Sequence, residues 1–407
     1  MRDDRPSYAA REQERGGVGW GEGASFGGAA ASIVAGGALT LAALIFGTAP
    51  LLVPGLGFMV LGALAAVWTV LAAVGARVSR SLSAERIEEG EPIEALITVR
   101  RGLLGPARAE VLDPLAGNPI SLAAPPSLMR GERESRIRLQ VCFEQRGRRR
   151  LEPPVLRVSG PLGLGALARR GRGAAEELLV LPRTEPVRWA SEGGTGQHDA
   201  GDGCAGEPPA AVDLDGLRPY RIGTPGSRIH WPAFARGAGL LERNLRADAE
   251  SRPLVILDPR NEGERELLDA AVRAAASLVL WLARRGGCRL LVGGERRPVA
   301  IERDLRAWPT VHARLALVEG GGHMSAPALG AAASSSWVFY VAARALRRLP
   351  AGLAATANAP RALVLPAELF AALGRSASFE VAGCQGWIAR IGPGGPQQPV
   401  ARVGVAG

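Results

Sequence analysis

The side chains best suited to hold a metal or to pair a nucleophile with a base are four cysteines and four histidines. They are Cys142, Cys204, Cys288 and Cys384, with His198, His230, His312 and His323. A structural zinc site needs thiolates or imidazoles at short spacings such as C-x-x-C, because several ligands must converge on one ion. No such pair occurs, so neither a zinc site nor a disulfide framework is indicated, and scattered thiols fit a reducing compartment. His230 lies in one stretch with Arg218, Tyr220, Gly223, Arg228, Trp231, Arg236 and Arg243. No serine on a nucleophile elbow and no cysteine partner accompanies it, so His230 and Trp231 are expected to pack rather than catalyse. Arg218, Arg228, Arg236 and Arg243 either form a patch for acidic groups or pair with Asp213, Asp215, Glu242 and Asp248. Both readings stand, and exposed pairs of this kind are individually weak.

Nucleotide chemistry is disfavoured on similar grounds. The glycine runs Gly286-Gly287 and Gly320-Gly321-Gly322 lack the G-x-G-x-x-G order of a dinucleotide site. A phosphate-binding G-x-x-x-x-G-K-[ST] loop is impossible, since all 49 basic residues are arginine. The net charge of +10 invites a nucleic-acid reading, but the excess is spread thinly: 4 Arg face 5 acids up to Ala76, 20 face 14 from Arg77 to Ala190, and 25 face 20 beyond. A basic strip interleaved with aromatics is absent, so no nucleic-acid partner is expected. The run Arg146 to Arg150 reads as a solvated hairpin rim, with contact to anionic lipid head groups as the alternative.

The elements that must position these groups begin with an apolar stretch. Between Glu22 and Arg77 there are 54 residues without a charge, more than one helix needs to cross roughly 30 Å of hydrocarbon. Spans at about Ala29 to Phe46 and Leu56 to Ala76 are expected, separated by Gly47 to Pro50 and by Pro54-Gly55. A buried soluble hairpin is the competing reading, but so long an uncharged run favours helices in lipid. A cleaved signal peptide is disfavoured, because a second apolar stretch follows at once. Arg2, Arg5, Arg11 and Arg15 precede the first span and Arg77, Arg80 and Arg86 follow the second, so both flanks are expected on the cytoplasmic side of the cell membrane.

Downstream the pattern divides. Residues 1–27 form a tail, 28–76 the transmembrane hairpin, 77–190 a β-rich, sandwich-like domain, 191–212 a linker rich in Gly, Asp and Pro, and 213–407 an α/β domain. Strands are expected at Glu94 to Arg100, Ala109 to Leu112, Arg136 to Phe143, Val155 to Val158 and Leu178 to Leu181. In the last domain an apolar strand, Leu254 to Asp258, precedes a helix from Glu264 to Arg285 and a strand from Arg289 to Val292, a parallel unit. Further strands at Val299 to Ile301, Trp337 to Val341, Ala362 to Leu365 and Phe379 to Val381, with helices near Leu305 to Leu317 and Pro366 to Leu373, imply a doubly wound sheet.

The order Leu217-Arg218-Pro219-Tyr220-Arg221-Ile222-Gly223, Arg228-Ile229-His230-Trp231, Ala235-Arg236, Leu240, Arg243 and Leu257-Asp258 resembles the family called domain of unknown function 58. Pro161 to Leu164 and Leu181 to Arg183 also resemble elements of that family. The resemblance implies a two-helix membrane anchor, a β-rich region and a von Willebrand factor A-like, Rossmann-type domain beginning at Leu254. It is strong only from 213 to 258. Two departures bear on chemistry. The family's Gly-Asp turn is Gly223-Thr224 here, and the Asp-x-Ser-x-Ser that lets A-type domains hold a hard cation is replaced by Asp258-Pro259-Arg260-Asn261-Glu262. With neither serine present and an arginine added, no Mg²⁺ and no other cofactor is expected at this loop.

These readings converge on a membrane-anchored, non-enzymatic interaction protein. The family resemblance implies a MoxR-type AAA+ ATPase as partner, besides the lipid bilayer, in assembly of envelope-associated complexes. An envelope-directed hydrolase using Tyr220, Arg228 and His230, or a module sensing anionic lipid, are the alternatives.

Overall fold

The computed structural model describes residues 23–122, 134–190, 214–219, 229, 231–237, 239–245, 252–261, 264–332, 335–354 and 360–389. The expected linker at 191–212 lies outside them. The chain divides into two compact units, Met1–Leu181 and Pro182–Gly407.

In the first unit a short strand, β1 (Gly23–Ser25), leads into helices α1 (Gly27–Phe46) and α2 (Ala49–Ala73). At 20 and 25 residues both are long and apolar enough to cross a membrane. The reversal between them is shorter than the sequence implies. It needs only Gly47, in the left-handed conformation, and Thr48, because Pro50 falls in the first helical turn, where its missing N–H is no loss. Pro54 is also carried inside the helix. The buried positions of α1, Ala29, Gly36 and Ala43, repeat every seven residues, and Gly55 and Gly62 on α2 meet them, Gly62 against Ala29 and Gly55 against Gly36. A seven-residue seam of small side chains brings two helices together with left-handed winding. At Gly36 the backbones approach closely, since an added Cβ would lie 2.5 Å from the Gly55 carbonyl oxygen. The opposite faces are apolar and uncovered, with Val34 72% and Phe46 74% exposed.

The rest of this unit is β-structure: β2 (Arg77–Leu82), β3 (Arg86–Glu88), β4 (Pro92–Arg100), β5 (Arg108–Leu112), β6 (Ile120–Leu122), β7 (Glu134–Cys142), β8 (Gly147–Leu151), β9 (Val155–Ser159), β10 (Ala166–Arg170) and β11 (Glu176–Leu181). They form sheets ordered β2-β4-β7, β1-β10-β9-β5-β6 and β3-β11-β8. The inward row of β4 serves two cores. Ile97 and Val99 pack with Val111, Leu156 and Val158 of the five-stranded sheet, while Ile93 and Ala95 pack with Leu151, Leu178 and Val180 of the other. The β2 strand went unread in the sequence because its inward row contains an arginine. Arg80 is buried, donating to both Asp113 carboxylate oxygens at 3.1 and 3.0 Å, to Glu176 at 2.8 Å and to the Leu151 carbonyl at 3.1 Å. The arginine run expected at a hairpin rim is largely strand β8, with Arg148 outward beside Glu177 at 3.5 Å.

The second unit holds an eight-stranded mixed sheet ordered β12-β20-β21-β19-β18-β15-β16-β17. Its strands are β12 (Arg188–Trp189), β15 (Leu254–Asp258), β16 (Cys288–Val292), β17 (Val299–Ile301), β18 (Val338–Ala342), β19 (Arg361–Pro366), β20 (Phe379–Val381) and β21 (Cys384–Ala389). The pairings of β15 with β16 and β18, and of β18 with β19, are parallel. The crossover helix α4 (Arg265–Gly286) and helix α5 (Trp308–Ala316) cover one face, α4 through an alanine-rich stripe that lets it lie close to the strands. Shorter helices α6 (Ala351–Ala354) and α7 (Ala367–Ala371) belong with the core on the other face. A separate hairpin, β13 (Leu214–Pro219) with β14 (Leu241–Leu245), encloses helix α3 (Trp231–Ala235) in sequence.

The β-rich region was expected to run to residue 190, but segment 182–189 is bound to this sheet. Trp189 packs its ring 4.9 Å from Phe379 and 5.9 Å from Trp281. His312, stacked on Trp308 at 4.6 Å, sets its Nε2 2.7 Å from the Pro182 carbonyl oxygen. The boundary follows from aromatic burial that no local pattern announces.

Candidate functional site

Strand order reverses between β15 and β18. The chain builds outward from β15 to β16 and β17, then returns to the other side of β15 to lay down β18 and β19. In open α/β sheets the carboxyl ends of the strands flanking such a reversal splay apart and form the crevice where ligands bind. Asp258 is the last residue of β15 and lies in register with Ala342, the last of β18. Each strand is followed two residues later by an arginine, Arg260 and Arg344.

These groups form one cluster. The Asp258 side chain is wholly buried. Arg260 donates from Nε to Oδ1 and from a terminal nitrogen to Oδ2, both at 2.8 Å, and its backbone N–H reaches Oδ1 at 3.3 Å. The Tyr340 hydroxyl, projecting from β18, donates to Oδ2 at 2.7 Å. Arg344 Nε reaches the same oxygen at 3.4 Å. Burial by itself would raise the Asp258 carboxyl, but the Arg260 fork and then the Tyr340 hydroxyl outweigh it and hold the group below the usual carboxylate range. Burial and the neighbouring carboxylate push the Tyr340 phenol upward, so it stays a neutral donor at physiological pH.

This donor set does not fit a hard divalent cation, which needs several oxygens free to turn towards it. The single carboxylate has both oxygens engaged by donors, two of them cationic. Among the described residues no three His, Cys, Asp or Glu side chains gather as a ligand group. Nucleophilic chemistry finds no better footing at the cysteines, since burial pushes the Cys288 and Cys384 thiols up to about 12.

The signature residues are not gathered around Asp258. Arg218 lies on β13 in register with Glu242 of β14, and Arg243 lies in register with Leu217. Arg236 is exposed just beyond α3. Tyr220, Gly223, Arg228 and His230 lie outside the described residues. Trp231, expected to pack, is instead 58% exposed, with its ring edge-on to Phe234 at 6.2 Å. A five-residue helix next to a two-stranded hairpin offers too little surface to bury an indole. Sequence reading missed Tyr340 and Arg344, although Arg344, Arg347 and Arg348 directly follow an expected strand and could have been noticed on that ground.

No family model, no curated protein and no solved structure matches this chain.

Proposed function

We propose that this chain is a membrane-tethered, non-enzymatic interaction protein of the domain of unknown function 58 type, whose von Willebrand factor A-like domain docks a MoxR-type AAA+ ATPase in envelope-related complex assembly. The observation that carries this reading is the state of Asp258. Asp258, the acid that ends β15 at the strand-order reversal, where a ligand or metal would be handled, is neutralised by its own chain's arginines. A crevice arranged this way offers charge and shape for recognition without a nucleophile or a base. The parallel order β16-β15-β18-β19, with β17 antiparallel at the edge, supports a doubly wound, A-like fold.

The hairpin supplies the tether. Its outward side chains are apolar along two helices of spanning length, a surface that water solvates poorly and lipid solvates well. Arg2, Arg5, Arg11 and Arg15 before the first helix and Arg77, Arg80 and Arg86 after the second favour a cytoplasmic position for both flanks and the body.

Affinity purification of the tagged full-length chain from detergent-solubilised membranes tests the reading. Recovery of an AAA+ ATPase is expected. Recovery of none, or a chain that stays monodisperse without detergent and fractionates with soluble protein, overturns it.

A further inference from the structure

We infer that Arg260 and Arg344, clamped around Asp258 at the crevice between β15 and β18, form a metal-independent receptor for a carboxylate side chain presented by a protein partner. This rests on the interaction reading above and names the chemistry the partner must bring.

The charges in the cluster do not cancel. Two guanidinium groups meet one carboxylate, so the site carries a residual single positive charge. Asp258 is wholly buried, whereas the side chains of Arg260 and Arg344 are 24% and 32% exposed, so the positive charge is the part that reaches the surface. The bonding leaves donors to spare. Asp258 takes Nε and one terminal nitrogen of Arg260 but only Nε of Arg344. A guanidinium has five N–H donors in a fixed planar fork. Among the described residues no hydrogen bond occupies the terminal nitrogens of Arg344, which are matched in spacing to the two oxygens of a carboxylate.

Arg344 is held for this task by its surroundings. It follows β18 after Ala342 and Ala343, both buried, so its backbone cannot swing away, and Asp258 fixes its Nε edge. A guanidinium pinned on one edge presents the other without the rotamer entropy a free arginine must lose. A residual charge of one suits a carboxylate, and a phosphate dianion would be left under-neutralised. Beyond the clamp, the β18–α6 loop adds exposed Arg347 and Arg348, which favour approach of an acidic surface without fixing its register.

Binding of fluorescein-labelled hexaglutamate to the full-length chain in detergent micelles, read by anisotropy at low salt with EDTA present, tests the inference. Hexaglutamate is expected to bind and hexaglutamine not to bind. Arg344→Gln should weaken binding about tenfold, the effect of losing one charge-assisted fork. Arg344→Lys should recover little, because the planar fork is lost while the charge remains. Arg347→Gln and Arg297→Gln, exposed arginines outside the clamp, should change it less than twofold. Equal losses across all these arginines, competition by inorganic phosphate at lower concentration than acetate, or a requirement for divalent metal each overturns the inference. The two readings separate cleanly. An ATPase recovered equally well by wild type and Arg344→Gln sinks the receptor and spares the partnership, whereas Arg344-dependent hexaglutamate binding with no ATPase recovered does the reverse.

Discussion

Replacing Asp258 tests the centre of the second unit most directly. In Asp258→Ala the Tyr340 hydroxyl, buried on β18, loses its acceptor at 2.7 Å, and a hydrogen bond to a charged group contributes about 1.5–3 kcal/mol. Arg260 loses a two-pronged partner, but its side chain is 24% exposed and water can replace the carboxylate, so its share is about 1 kcal/mol. Arg344, at 3.4 Å and more exposed, adds little. A loss of about 3 kcal/mol in a unit of this size lowers the unfolding midpoint by about 6–12 °C. Tryptophan fluorescence reads the transition, since Trp189, Trp281, Trp337 and Trp387 all lie in this unit. The dependence on pH has a definite sign. Asp258 has its carboxyl held below the unfolded-state value of about 3.9, so its contribution is complete above that pH and is lost as pH falls through the folded-state value. Wild type should therefore lose stability more steeply than Asp258→Asn below about pH 4. A midpoint shift under about 1 °C in Asp258→Ala, or coincident acid limbs, would refute the view that this carboxylate is locked by its own chain.

Three other perturbations probe separate links. Gly36→Val sets new atoms against the Gly55 carbonyl and should push α1 and α2 apart, lowering stability in micelles by about 1–3 kcal/mol, measured by the SDS fraction at half-unfolding. Arg80→Ala strands Asp113 in the β-rich core and should cost about 3–5 kcal/mol by urea unfolding, whereas Arg80→Met with Asp113→Leu should recover most of it. In a Cys204→Ser background, iodoacetamide at pH 8 should label exposed Cys142 and leave buried Cys288 and Cys384 unmodified until denaturant is added, as counted by intact mass.

Local pattern carried the architecture well where a period was clean. The apolar hairpin, the strand Leu254–Asp258 with its crossover helix, and the strands near Val299 and Phe379 stand close to where alternation and run length put them. It failed where the inward row of a strand was not apolar. Both β2, with Arg80 inside, and β8, with its arginine run, break the two-residue rhythm, and only partners distant in sequence make them tolerable. The hairpin β20–β21 went half unread for another reason. Cys384 to Ala389 includes Gln385 and Gly386, and the glycine is required because the Phe379 ring lies where a Cβ would be.

The sequence by itself determined that two long uncharged helices precede the sheets, that apolar strands and helices alternate after Leu254, and that Asp258 ends the strand beginning there, close to an arginine. Those properties depend on composition and period, which neighbouring residues settle among themselves. Only the tertiary structure decided that Asp258 meets Tyr340 and Arg344, 82 and 86 residues away, because which strand lies beside β15 is fixed by the packing of the whole sheet. The charge left at that crevice is a property of the fold, since no window of sequence contains all four groups.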